Sequence, residues 1–214
     1  MALGARIRAL LGDRRSRQVG ALYRAIFADM AAEAAILAEE VPRGAHVLDI
    51  GGGDGVPLNN LLNLRGDITA VSIDPAPVVG QWIEPRHDLR ITRLPGTTLE
   101  AFLESDARRP DAVLLCDVMH HIPPPSRPGF VAALGRLAGA VPQLKLIVKD
   151  VEPGYPRALL GYWADLYITG DRDVRPIGRD ELRQLLLPAL PGFRCRETAL
   201  FREDSPNFAL VFER

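Results

Sequence analysis

The chain has 214 residues, 47% hydrophobic and 25% charged, with a formal net charge of -1; such a composition excludes wholesale disorder and gives no general pull toward nucleic acid. That length suits one α/β domain with a modest addition, and no apolar run approaches the roughly 18 residues of a membrane span. Lysine occurs only at positions 145 and 149, and the excess of arginine, with the Ala and Pro content, reads as compositional bias.

Residues 1 to 18 set Arg6, Arg8, Arg14, Arg15 and Arg17 against Asp13, with Leu3, Ile7, Leu10 and Leu11 at helical spacing. This basic amphipathic helix reads as a solvated arm, a lid over the site or a peripheral membrane contact. Arg6 and Arg8 interrupt any cleavable signal pattern. A second helix is predicted over residues 20 to 40, ending before Pro42-Arg43-Gly44. Residues 1–44 are therefore expected as an N-terminal helical segment, an arm, cap or lid, ahead of the main domain at 45–214.

From Ala45 the chain alternates strand and helix, the pattern of a doubly wound sheet with right-handed crossovers. Strands are predicted near 45–50, 68–73, 89–94, 111–116 and 144–150. The helix after Asp74 is short, broken by Pro75, Pro77 and Pro85. An aromatic helical stretch (Tyr155, Tyr162, Trp163, Tyr167) follows the fifth strand, as core or as the wall of an apolar pocket. A helix at 180–187 leads to two runs, 193–200 and 208–212, that read as a hairpin. Cys116 and Cys195 lie in predicted strands without metal or redox spacing, which suits buried thiols in a reducing compartment, the cytoplasm.

The stretch Val47 to Gly55 organises the rest. An apolar strand ends in Asp49, and Gly51, Gly53 and Gly55 then remove Cβ atoms from the turn and permit positive φ just before a helix. A ligand can lie against such a backbone. A dinucleotide fingerprint would run Gly-x-Gly-x-x-Gly. Here the spacing is Gly-x-Gly-x-Gly, with an acid two residues ahead that pyrophosphate would disfavour. Asp74, ending the second strand, is placed to accept from ribose hydroxyls. The two acids bracket an adenosine-like ligand carrying positive charge.

Asp49, Gly51, Gly53, Gly55 and Asp74 together resemble the first motif and second-strand acid of the class I S-adenosylmethionine-dependent methyltransferases of the small-molecule type. The resemblance covers about residues 45–214 and implies a mostly parallel seven-stranded sheet ending in an antiparallel hairpin, with the N-terminal helices capping the acceptor pocket. The cofactor it implies is S-adenosylmethionine. The family often has an acid after the third strand that accepts from the adenine amino group; this chain has Thr97 and Thr98, of which Thr97 is retained as an adenine contact and either as a helix N-cap.

Asp117-Val118-Met119-His120-His121 follows the fourth strand and resembles the Leu-His-His stretch of many small-molecule methyltransferases, beside the methionine end of the cofactor. Asp117 is thereby a cofactor contact. His120 and His121 are the catalytic candidates, one as a general base for an acceptor hydroxyl. We assign that role to His120 and a structural one, tying the loop to the next helix, to His121. Asp117, His120 and His121 at i, i+3 and i+4 also form a workable metal set, but some quinone-pathway O-methyltransferases place a second acid where this chain has His120, so no metal is assigned. Lys149-Asp150, ending the fifth strand, must point to opposite faces.

Methyl transfer from a sulfonium needs positioning more than acid–base machinery. The expected acceptor is a small, apolar metabolite or lipid-like molecule, most readily O-methylated. An NAD(P)-dependent oxidoreductase and a non-catalytic cofactor-binding partner subunit are the alternatives.

Overall fold

In the computed structural model, residues 30–156, 158, 174–198, 201 and 205–214 are described. The helix expected over residues 1–18, the start of the helix at 20–40 and most of the aromatic stretch at 155–167 lie outside them.

Helix α1 (Met30–Glu40) precedes the seven strands β1 (His46–Ile50), β2 (Thr69–Asp74), β3 (Ile91–Pro95), β4 (Ala112–Cys116), β5 (Lys145–Val151), β6 (Arg194–Glu197) and β7 (Asn207–Glu213). Between them run α2 (Val56–Leu64), α3 (Leu99–Glu104), α4 (Arg127–Ala140) and α5 (Arg179–Leu186). The sheet order is β3-β2-β1-β4-β5-β7-β6. Only β7 runs against its neighbours, pairing antiparallel with β5 and β6, so the expected doubly wound sheet with a terminal hairpin is observed.

The apolar runs of β1, β4 and β5 are buried on both faces, as parallel strands covered by helices must be. On one face Leu48, Val113, Leu146 and Val148 pack under Phe102 of α3, Leu134 and Leu137 of α4, and Leu182 and Leu186 of α5. On the other, Val47, Leu114 and Ile147 meet Leu37 of α1 and Leu58, Leu61 and Leu62 of α2. The strand order reverses between β1 and β4, and an open α/β sheet binds its ligands at the carboxyl ends of strands at such a point.

Between β2 and β3 the short α-helix expected after Asp74 is replaced by a 3-10 helix, Pro85–Arg90. Three prolines remove amide donors there. Leu89, expected to begin the third strand, is instead fully exposed on that 3-10 turn. No helix among the described residues is long and apolar enough to cross a membrane.

Candidate functional site

The β1–α2 turn is shaped by its glycines. Gly51, Gly53 and Gly55 all have positive φ, of 69°, 51° and 86°, a region L side chains rarely adopt. The Gly51 and Gly52 amides donate to the Ile73 carbonyl at 2.9 and 3.2 Å, which pins the turn to β2. A Cβ at Gly55 would lie 2.7 Å from Gly80 Cα, and one at Gly51 2.8 Å from Val118. At Gly53 a Cβ would meet nothing nearer than 3.8 Å, so the backbone there is open to a ligand. Gly52 was not singled out in the sequence, yet its Cβ would collide with Ser72 and with Asp49 Oδ2.

Asp49 is 3% exposed and accepts from the Ser72 hydroxyl at 2.7 Å. It lies behind the glycine turn, with Ser72 as its partner in register on β2. Burial pushes its carboxyl up to about 6, against the lowering effect of the Ser72 hydroxyl; the neighbouring Asp74 and Asp54 push the same way as burial.

Asp74 Oδ2 accepts from the Gly53 amide at 2.9 Å and Oδ1 from the Ala76 amide at 2.8 Å. The acid thus ties the open part of the turn to the end of β2, and its oxygens keep lone pairs for hydroxyl donors. The Thr97 amide donates to the Asp74 carbonyl at 3.0 Å, and the Thr97 hydroxyl to the Pro95 carbonyl at 3.4 Å. Thr98, not Thr97, is the N-cap of α3, accepting from the Ala101 amide at 3.3 Å.

The loop after β4 is held from β5. Asp117 has φ 57°, and its amide donates to the Lys149 carbonyl at 2.9 Å. Lys149 Nζ lies 2.8 and 2.6 Å from the two Asp117 oxygens and 3.7 Å from Glu33 Oε2 of α1. Burial pushes the Asp117 carboxyl up, but Lys149 and then His120 outweigh it and hold it below its ordinary value. His120, 4% exposed, sits on a 3-10 turn, Met119–His121, with Nδ1 2.6 Å from Oδ1 of the fully buried Asp150.

His121 is half-buried, its ring 4.2 Å from that of His120. Arg127, at the start of α4, also ties this loop down, donating to the Ile122 carbonyl at 3.0 Å and to the Arg175 carbonyl at 2.7 Å. Its guanidinium fork spans the two carbonyls at once. The metal-capable cluster differs as well. Ligand atoms of Asp117, His120 and Asp150, not His121, lie within 4.8 Å of one another. Within it Asp150 engages His120, and Lys149 from outside the cluster pairs with Asp117.

The structure therefore brings Asp49, Gly51, Gly53, Gly55, Asp74 and Thr97 together around one turn, and Asp117, His120 and His121 along the adjacent loop. Ser72, Lys149's grip on Asp117, and Glu33 were not foreseen. The available signals were a small polar residue inside the apolar β2 and an acid on the apolar stripe of α1.

A methyltransferase-domain family model matches residues 22–189. No curated protein matches the sequence significantly. Among solved structures, the mitomycin 7-O-methyltransferase MmcR is similar at 23% identity and a TM-score of 0.63, over 95% of this chain and 58% of that one. An O-methyltransferase family protein from Burkholderia thailandensis aligns at 19% and 0.67, over 95% and 60%. Human N-acetylserotonin methyltransferase, crystallised with S-adenosylmethionine, aligns at 16% and 0.63, over 97% and 58%. The chain thus spans about three-fifths of the length of these structures, and at such identities the likeness is one of fold. With more than three-quarters of its length inside the family model, the chain belongs to the methyltransferase-domain family, and so to the S-adenosylmethionine-dependent methyltransferases.

Proposed function

We propose that the chain transfers a methyl group from S-adenosylmethionine to a hydroxyl of a small acceptor, with His120 as general base. The carrying observation is the 2.6 Å contact between His120 Nδ1 and a fully buried carboxylate. Asp150 Oδ1 also accepts from the Val151 amide at 2.8 Å, which fixes its orientation. A buried carboxylate can only accept, so Nδ1 carries the proton and the basic lone pair is on Nε2. Asp150 thereby sets the tautomer and stabilises the imidazolium once a proton has been taken.

The residues around the glycine turn fit the cofactor. Asp74 can accept from ribose hydroxyls, the exposed backbone at Gly53 admits close approach, and Thr97, whose amide donates to the Asp74 carbonyl, is close enough to Asp74 to serve as an adenine contact. Asp117, kept charged by Lys149, and Asp49 behind the turn supply negative charge that suits a cation. The bound cofactor supplies an electrophilic methyl on a sulfonium. Everything else asked of the protein is alignment and, for a hydroxyl nucleophile, removal of its proton.

An O-methyltransferase among the solved structures, NcsB1, is similar at 20% identity and was crystallised with 2-hydroxy-5-methyl naphthoic acid. That supports a panel of aromatic hydroxyl acceptors as the first screen. On any acceptor turned over, His120→Ala should lower turnover by about 10²-fold while cofactor affinity stays near the wild-type value. Wild-type turnover by that variant would remove the base from the mechanism and leave positioning alone.

A further inference from the structure

Lys149 and Asp150 are consecutive residues on β5 and, as strand alternation requires, they point to opposite faces of the sheet. Each nevertheless grips the same short loop. On one face Asp150 holds His120 Nδ1 at 2.6 Å; on the other, Lys149 Nζ lies within 2.8 Å of both oxygens of Asp117. Asp117 is the only non-glycine among the described residues with a positive φ, and its amide is held as well, by the Lys149 carbonyl. A single lysine therefore fixes the backbone and the side chain of the residue that turns the chain toward His120.

Lys149 is 2% exposed, and its ammonium also faces the buried Glu33 of α1 at 3.7 Å. Burial by itself would push a lysine toward its neutral form, but Asp117 and Glu33 outweigh it and hold the group charged. Buried ion pairs are seldom worth more to stability than apolar residues of the same volume, and conformational specificity is one reason for their retention. Here the conformation at stake is the left-handed turn at Asp117.

We propose that Lys149 is a positioning residue, whose ammonium, clamped between Asp117 of the β4 loop and Glu33 of α1, holds the turn that delivers His120 to Asp150. The proposal rests on the assignment of His120 as the base, and it makes the placement of α1 a determinant of where that base stands.

The test removes both buried charges together, in Glu33→Gln/Lys149→Met, leaving Asp117, whose side chain is 38% exposed, to water. A short imidazole–carboxylate hydrogen bond gives a far-downfield proton resonance, and its loss in Asp150→Asn identifies the one from His120. In the double variant that resonance should vanish or move upfield, and turnover on any accepted hydroxyl should fall about tenfold or more, with S-adenosylmethionine affinity within about threefold of wild type. An unchanged resonance in a folded double variant overturns the proposal. So does its absence from the wild type, or a loss of cofactor affinity with the resonance intact, which would assign Lys149 to the cofactor.

If the double variant does not fold, Asp117→Gly is measured in the same way, because glycine keeps the left-handed turn and Lys149 keeps Glu33. Loss of the resonance there supports the tether, and its persistence overturns it. The resonance needs no acceptor and no cofactor. A wild type that shows it yet binds no S-adenosylmethionine would fail the proposed function while leaving the positioning role standing.

Discussion

Asp49 carries the clearest pH signature of the site. Its folded carboxyl is raised to about 6 from an ordinary 3.8, so its contribution to stability is fully present below about pH 4 and is lost as pH rises through 6. For a buried group, a rise of that size corresponds to about 3 kcal/mol. Asp49→Asn should therefore gain stability relative to wild type as pH is raised from 4 to 7, by an amount of that order in denaturant midpoints. A difference independent of pH would contradict a buried, titrating Asp49. Gly52 gives a second prediction at this scale. Its missing Cβ is the space filled by Ser72 and Asp49, so Gly52→Ala should cost about 1–3 kcal/mol of stability as overpacking; thermal unfolding as stable as wild type would show that the pair can move aside.

Among the elements, α1 has a place beyond covering apolar surface. Leu37 packs on the sheet, Glu40 accepts from Arg196 of β6 at 2.8 and 2.5 Å, and Glu33 reaches Lys149. The helix is thus tied to the far edge of the sheet and, through Lys149, to the loop that carries His120. We propose that residues 1 to 18 act as the lid read from the sequence; deleting them should then change acceptor affinity or turnover more than cofactor affinity, read as separate KM and Kd effects. Equal activity on every acceptor would make that segment a passive arm. Co-sedimentation with anionic liposomes that disappears at high salt would instead give it a membrane-surface role.

At the scale of the molecule, what was legible in the sequence is what local pattern determines. Buried parallel strands are apolar runs, and the acid and glycines ending β1 are contiguous, so Asp49, Gly51, Gly53, Gly55 and Asp74 could be placed before any contact was known. Register is different, because it is set by how distant strands align. Cys116 stands opposite Lys149, and Asp49 opposite Ser72. Those alignments, which no local window contains, bring Lys149 onto Asp117 and the hydroxyl onto the acid. Which of His120 and His121 is the buried imidazole was likewise not legible. The two are adjacent on one 3-10 turn with their rings 4.2 Å apart, and it is Asp150, on the distant β5, that engages the buried one.

Cofactor binding at the glycine turn is tested most directly by calorimetric titration of the wild-type chain and Asp74→Ala with S-adenosylmethionine, S-adenosylhomocysteine and NADP. Wild type should bind the first two and not the dinucleotide, and the folded Asp74→Ala variant should bind S-adenosylmethionine more weakly by about 1.5–3 kcal/mol, the scale for losing a charged acceptor. Binding of NADP by the wild type, or unchanged S-adenosylmethionine affinity in the variant, would contradict it.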